Sequence, residues 1–394
     1  MKPSPPGRIV FAAIFVIFVY GMIAAMLGVL LPVFHLTVRQ KSTIALAQAV
    51  GLIIASLCAG PLIDRHGTKT GLLAGLALIS ATLYTLPAAA GYAGITVCFL
   101  ALGFGGGLIV TAANALAAEI NRQRRGSTLN LLNLFFGLGL MAAPFAAANF
   151  LDGNAVKLCY LEAVLASIAF LVHTVTSVPP RSEHRAFQVA EAAQILRRPE
   201  LWLFALFLFL YVACEVGISN WLATFLISRG IPKTVALNIL SLGFALGLLA
   251  GRVTVAAILL KVRGITVTLV CSVLMAITTF LMLQTSDPKL AAIAVFCAGF
   301  AMAPVFPTTL AMIGDTFPVR TATAMGIAIT SGWAGLAVSS PIIGAIAGGG
   351  SENLGTALLL FPIASALMIL VNLAVRPLLK TASSVGPPLT AHKP

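Results

Sequence analysis

One carboxylate stands inside a long apolar run, Tyr211-Val-Ala-Cys-Glu215-Val-Gly-Ile-Ser-Asn220-Trp221. An acid surrounded by hydrocarbon must be protonated, paired or turned toward water. Held neutral by desolvation, it can carry a proton; ionised, it accepts hydrogen bonds from the hydroxyls of a solute. Glu215 is the acid expected near the middle of its apolar segment, and the other ten acids fall in loops or near segment ends. Amides recur in similar surroundings. Asn114 follows Thr111-Ala-Ala, just after the glycine run Gly103-Phe-Gly105-Gly106-Gly107. Asn130 and Asn133 lie three residues apart and so share one helical face. Aromatics at comparable depth are Tyr20, Phe135, Phe136, Trp221, Phe306 and Trp333. One acid, a few amides and flat aromatic faces suit a hydroxylated, sugar-like solute. The candidate solute-binding or proton-coupling set is therefore Glu215, Asn133, Asn114, Asn220, Tyr20, Trp221, Trp333, Phe136 and Phe306.

The elements that must position these residues are membrane helices. Of 394 residues, 59% are hydrophobic and 9% charged, and a bilayer core takes about 20 apolar residues per helical span. Twelve such stretches fall at about 8–31, 43–63, 70–90, 94–118, 127–151, 157–178, 201–227, 234–257, 265–285, 289–313, 321–345 and 354–377. The expected fold class is an all-α membrane protein with twelve transmembrane helices in two six-helix bundles. The longest polar stretch, 179–200, reads as a linker on the inner surface between an N-terminal bundle, 1–178, and a C-terminal bundle, 201–394, with a short tail. The glycine run in the fourth span reads as close helix packing, because no strand precedes it and no Gly-Lys-Ser/Thr follows. Pro304-Val-Phe-Pro307 predicts a kink in the tenth span.

Net charge is +13, yet its distribution speaks for topology and against nucleic acid. With the N-terminus inside, inner segments hold 18 of the 24 basic residues and outer segments 6, a positive-inside bias. Both termini are thus expected on the cytoplasmic side of the cell's inner (plasma) membrane. The six cysteines lie in or at the edges of spans and read as small core residues. The five histidines are scattered, no nucleophile elbow is present and no Walker-type loop exists. No enzyme activity, metal or cofactor is expected; the partners expected are a small-molecule substrate, a proton and the lipid bilayer, with the chain a monomer.

A weak internal repeat joins the halves. Gly139 precedes Pro144 by five residues in the fifth span, and Gly335 precedes Pro341 by six in the eleventh. The turn Gly60…Asp64-Arg65…Gly67 has a counterpart in Gly251-Arg252 followed by Lys261…Arg263-Gly264, where basic residues and glycines recur but the acid does not.

The segment Gly60-Pro-Leu-Ile-Asp64-Arg65-His-Gly67-Thr-Lys69 resembles the signature loop of the major facilitator superfamily of secondary transporters. The resemblance implies a gating loop of Gly60, Asp64, Arg65, Gly67 and Lys69, with Arg252 as its counterpart in the second half. It places Asp64 against the start of the eleventh span, where a helix dipole favours an anion, and pairs Arg65 with an acid ending the fourth span, for which Glu119 is available. Thr111-Ala-Ala-Asn114, Leu129-Asn130, Tyr211-Val-Ala-Cys-Glu215 and Pro304-Val-Phe-Pro307-Thr308 resemble the fucose/glucose-type sugar permeases. Those symporters carry acids in the first and fourth spans; the first span here has none and Val110 takes the fourth-span position. Proton coupling, where present, then centres on Glu215. The runner-up reading is an efflux carrier of apolar compounds, since Gly139…Ala143-Pro144 is similar to a degraded antiporter signature.

Overall fold

The computed structural model describes residues 6–120, 125–177, 195–258, 261–317 and 321–384. Twelve helices in it are long and apolar enough to cross a membrane. They are α1 (Pro6–Leu30), α2 (Val38–His66), α3 (Thr68–Thr85), α4 (Gly91–Ile120), α5 (Arg125–Asn149), α6 (Ala155–Val175), α7 (Pro199–Ser228), α8 (Lys233–Asn238, Ile239–Ala245 and Leu246–Ile258), α9 (Gly264–Gln284), α10 (Pro288–Met302 and Val305–Thr316), α11 (Thr321–Ala347) and α12 (Leu354–Leu358 and Leu360–Ser384). Among the described residues there is no strand. An even number of crossings returns the chain to the face where α1 begins. That face is here the terminal face, and the other is the far face. The segment 179–200 falls largely outside the described residues; Pro199 and Glu200 already belong to α7.

Small residues set the helix spacing. In α4, Gly103 meets the Gln48 carbonyl of α2, Gly105 meets Ile79 of α3, and Gly107 meets Ala55 of α2. Without a Cβ the backbones approach closely, the packing mode that lipid-soluble helices rely on. The internal repeat is physical. Gly139 of α5 sits on the Phe18 carbonyl of α1, and Gly335 of α11 sits on the Phe209 carbonyl of α7. Accordingly α1 and α7 are the most enclosed spans and α6 the least. α5 and α11 run through Pro144 and Pro341 without interruption, while α10 breaks at Ala303-Pro304, as Pro304 predicts.

Two expectations change. The Gly60–Lys69 segment is largely helical: α2 continues through Arg65 and His66, and one residue, Gly67, makes the turn at φ 85°. Only glycine adopts that conformation without strain. Arg252 lies in no turn either. It is inside α8, which runs on to Ile258. A charge marks a span boundary only when nothing neutralises it within the span, and Arg252 has such a partner.

α8 also contains a π-helical turn over Ile239–Ala245, a local widening of the kind that gathers at functional positions.

Candidate functional site

Glu215 lies midway along α7. Its carboxylate is 3.6 Å from Nη2 of Arg252, with the two side chains 16% and 17% exposed. The distance exceeds a direct hydrogen bond, so this is a loose ion pair. Arg252 reaches further. Its Nη1 donates to the main-chain oxygen of Asn133 on α5 at 3.0 Å. Gly137, one turn along α5, leaves room for the guanidinium: a Cβ there would lie 3.4 Å from Nη1. One cation thus ties an acid midway along α7 in the second bundle to the backbone of the first, from a position nearer the terminal-face ends of α5 and α8.

Each bundle also carries an aromatic pair on a helix that supplies this link. In the first bundle, Tyr20 of α1 and Phe136 of α5 stand 5.7 Å apart between ring centroids. Gly106 of α4 makes space for the Tyr20 ring, since a Cβ there would come within 2.5 Å of it. In the second bundle, Tyr211 lies one helical turn before Glu215 and pairs with Phe306 at 6.3 Å. The Tyr211 hydroxyl is buried beside the Glu215 carboxylate.

The structure brings Glu215 to Arg252 and to the backbone of Asn133, with Tyr20 paired to Phe136 and Phe306 to Tyr211. The other expected residues make no hydrogen bond, ion pair or ring contact with that group among the described residues. The Asn133 side chain is exposed, so the carbonyl, not the amide, makes the contact. Asn114 is exposed on α4 and Trp333 half-buried on α11. Asn220 lies five residues beyond Glu215 and so about 140° round α7. Both Asn220 and Trp221 are buried there, the amide and the ring N–H without partners among the described residues. Of the gating-loop residues, Arg65 is exposed, and Lys69 donates to the Thr174 carbonyl at 2.7 Å. A lysine there satisfies a terminal carbonyl and complements the end dipole of α6. The side chains of Asp64 and Glu119 lie outside the described residues, and with them the expected Arg65–Glu119 pair.

Sequence reading put Arg252 with the gating loop and not at the solute site, because a basic residue near a span end looks like topology. The available signal was the apolar run Val253–Leu260 that follows it. Glu162 escaped as well. It sits at the eighth residue of α6, is 0% exposed, and neither carboxylate oxygen has a partner among the described residues. Glu215 is therefore not the sole acid within a span. A buried polar group without a partner costs roughly 1–3 kcal/mol. Glu162→Leu is expected to raise the melting temperature of the purified protein in detergent by a few degrees. A fall would show that Glu162 has a partner the packing conceals.

The bundles also meet toward the far face. Asn149 at the end of α5 donates to Asn238 of α8 at 2.8 Å. Lys233 Nζ donates to the Gly153 carbonyl at 2.7 Å. Deeper in, Ser241 in the π-helical turn donates to the Met141 carbonyl at 2.8 Å. Gly344 of α11 packs on Ser42 of α2, and Gly28 of α1 on the Ser219 carbonyl of α7.

Known proteins share this architecture. The family model for the Major Facilitator Superfamily matches residues 9–265. The 3-(3-hydroxy-phenyl)propionate transporter of Escherichia coli (strain K12) is 28% identical over 380 residues, covering 90% of this chain and 88% of that protein. The glucose/galactose transporter of Brucella abortus is 28% identical over 231 residues, 53% of this chain and 56% of that protein. The crystal structure of a point mutant of the nucleoside transporter NupG superposes with a TM-score of 0.80, 15% identity and coverage of 94% of this chain and all of that one. With a family model spanning more than half its length and the helices packed as described, this chain belongs to the major facilitator superfamily and is a membrane transporter of small solutes.

Proposed function

We propose that the chain carries a sugar-like, polar solute by alternating access, with the solute held between the Tyr20–Phe136 and Tyr211–Phe306 walls at the Glu215–Arg252 pair. The observation that carries this reading is Arg252 itself, which contacts Glu215 in one bundle and the Asn133 carbonyl in the other. A group that must let go when the bundles separate is well placed to sense both solute and proton. Sugar preference is supported by the aromatic walls and by the similarity to a glucose/galactose transporter. An efflux site for apolar compounds gains nothing from an ion pair, whose desolvation is costly. Apart from the Arg252–Asn133 tie, the described ties between bundles gather toward the far face, and we read this form as closed there. Removing Arg252 from the loops leaves 17 basic residues inside against 6 outside, which supports a cytoplasmic terminal face in the inner membrane. The two bundles are read as 1–178 and 201–394.

The test is counterflow in proteoliposomes over a panel of sugars and sugar derivatives, with and without a pH gradient. Accumulation of at least one member, lost in Glu215→Ala, is expected. Activity confined to extrusion of apolar dyes would overturn the sugar-like reading.

Closure at the far face has its own expected outcome. Asn149→Cys with Asn238→Cys, in a background lacking the exposed Cys58 and Cys297, should cross-link on oxidation and stop transport, and reduction should restore it. Full transport by the cross-linked protein would show that the bundles do not part there.

A further inference from the structure

Resting on the reading of this site as a solute site, we propose that the solute is a ring-bearing monocarboxylate, such as a sugar acid, that binds Arg252 when Glu215 takes up the cotransported proton.

Charge conservation within the spans leads there. Arginine does not deprotonate in proteins. Among the described residues the guanidinium makes one hydrogen bond, to the Asn133 carbonyl, and has Glu215 as its counterion at 3.6 Å. The charged and titratable groups around Glu215 are few. Arg252 comes from α8 and Tyr211 from its own helix. α11 carries no ionisable residue, and α1 offers only Tyr20 at this depth. α10 and α12 carry their acids and bases near their ends. No second acid from these helices can replace Glu215.

When a proton binds the Glu215 carboxylate, its charge goes from −1 to 0 and Arg252 keeps +1. A lone cation inside a bundle is costly. An incoming carboxylate removes that cost, and the bound state is again neutral: one proton and one anion enter together. The loose 3.6 Å geometry matters. A tight bidentate pair would hold Arg252 closed to competitors, whereas here only Nη1 is engaged in a hydrogen bond among the described residues, and the Nη2 and Nε edge can take a carboxylate through two parallel N–H donors once Glu215 is neutral. The ring belongs between the facing aromatic pairs, Tyr20–Phe136 and Tyr211–Phe306. A neutral sugar would meet the same walls but would leave the guanidinium without a counterion whenever Glu215 is protonated.

The experiment is melting of the purified full chain, with exchange in proteoliposomes, using D-glucuronate, benzoate and D-glucose as probes at neutral and mildly acidic pH. The carboxylates stay ionised across that range. Glucuronate or benzoate should bind at least about tenfold more tightly at the acidic pH, as expected when Glu215 ceases to compete, and glucose should bind more weakly at both. Glu215→Gln should bind the carboxylate with the acidic-pH affinity at every pH, which a merely structural Glu215 would not produce. Arg252→Gln should lose carboxylate binding; the variant Glu215→Gln/Arg252→Gln, which leaves no unpaired charge, repeats the test should Arg252→Gln alone fold poorly. Glucose binding as tightly as glucuronate would overturn the carboxylate while leaving solute transport intact. Absence of protection or exchange by either carboxylate, or affinity unchanged by pH in the wild type, would overturn the proposal too.

Discussion

Glu215→Gln is expected to cut pH-gradient-driven uptake by about 100-fold or more, a loss of coupling worth close to 3 kcal/mol, while solute exchange at equal pH persists. Glutamine keeps the shape and the acceptor of the glutamate but neither its charge nor its proton. The two assays therefore part company only when the side chain carries the coupled proton. Loss of both to the same degree would make Glu215 a solute ligand alone. Equal transport in both, at a normal melting temperature, would remove Glu215 from the site. The change should not be silent in stability. It leaves Arg252 without the carboxylate that now stands 3.6 Å away, and an unpaired charge of this kind costs several kcal/mol when it cannot reach water. With 17% exposure, part of that cost is screened, and a lowered melting temperature rescued by a bound anion is the expected form.

Gly139→Leu is expected to prevent assembly of the first bundle. A Cβ at Gly139 would run into the Phe18 carbonyl of α1 and come within 2.9 Å of the Gly21 Cα. Backbone atoms cannot rotate away as a side-chain tip can, so α1 and α5 must separate along their whole contact. Overpacking typically costs about 1–3 kcal/mol, and the cost is expected at the upper end or beyond where only backbone can give way. The equivalent substitution in the second bundle, Gly335→Leu, meets the Phe209 carbonyl and should fail in the same way. Yield of monodisperse protein and its melting temperature report the outcome. Gly326→Leu is the control, because nothing lies within 4 Å of a Cβ there. Normal yield for Gly139→Leu would mean that the repeat in α5 and α11 is not the packing device described.

The twelve helices were legible because a span needs only length and apolarity, and those survive any rearrangement of partners. Gly139 and Gly335 were legible as a pair for a related reason: close backbone approach admits few residue types. Glu215 stood out because a lone acid in hydrocarbon is rare. Its partner did not. Arg252 is one of 24 basic residues, most of which mark loop ends, and only the position of α7 against α8 shows that it neutralises Glu215. The choice between side chain and backbone was equally hidden. Asn133 reads as an amide ligand, yet its carbonyl does the binding, and any residue supplies a carbonyl. Asn220 and Trp221 share a segment with Glu215, but 3.6 residues per turn carries them to another face. Glu162 was masked by the strongly apolar residues on either side of it in α6. The π-helical turn at Ile239–Ala245 left no mark in composition at all.

The sharpest single measurement is solute exchange in proteoliposomes by the charge-neutral variant Glu215→Gln/Arg252→Gln, with its melting temperature taken alongside. Removing both charges leaves no unpaired ion, so the protein should melt near the wild-type temperature. With the Arg252 link between the bundles gone, exchange should fall to the level of empty liposomes. Exchange at the wild-type rate in this well-folded variant would contradict the assignment of Glu215 and Arg252 as the centre of the transport site.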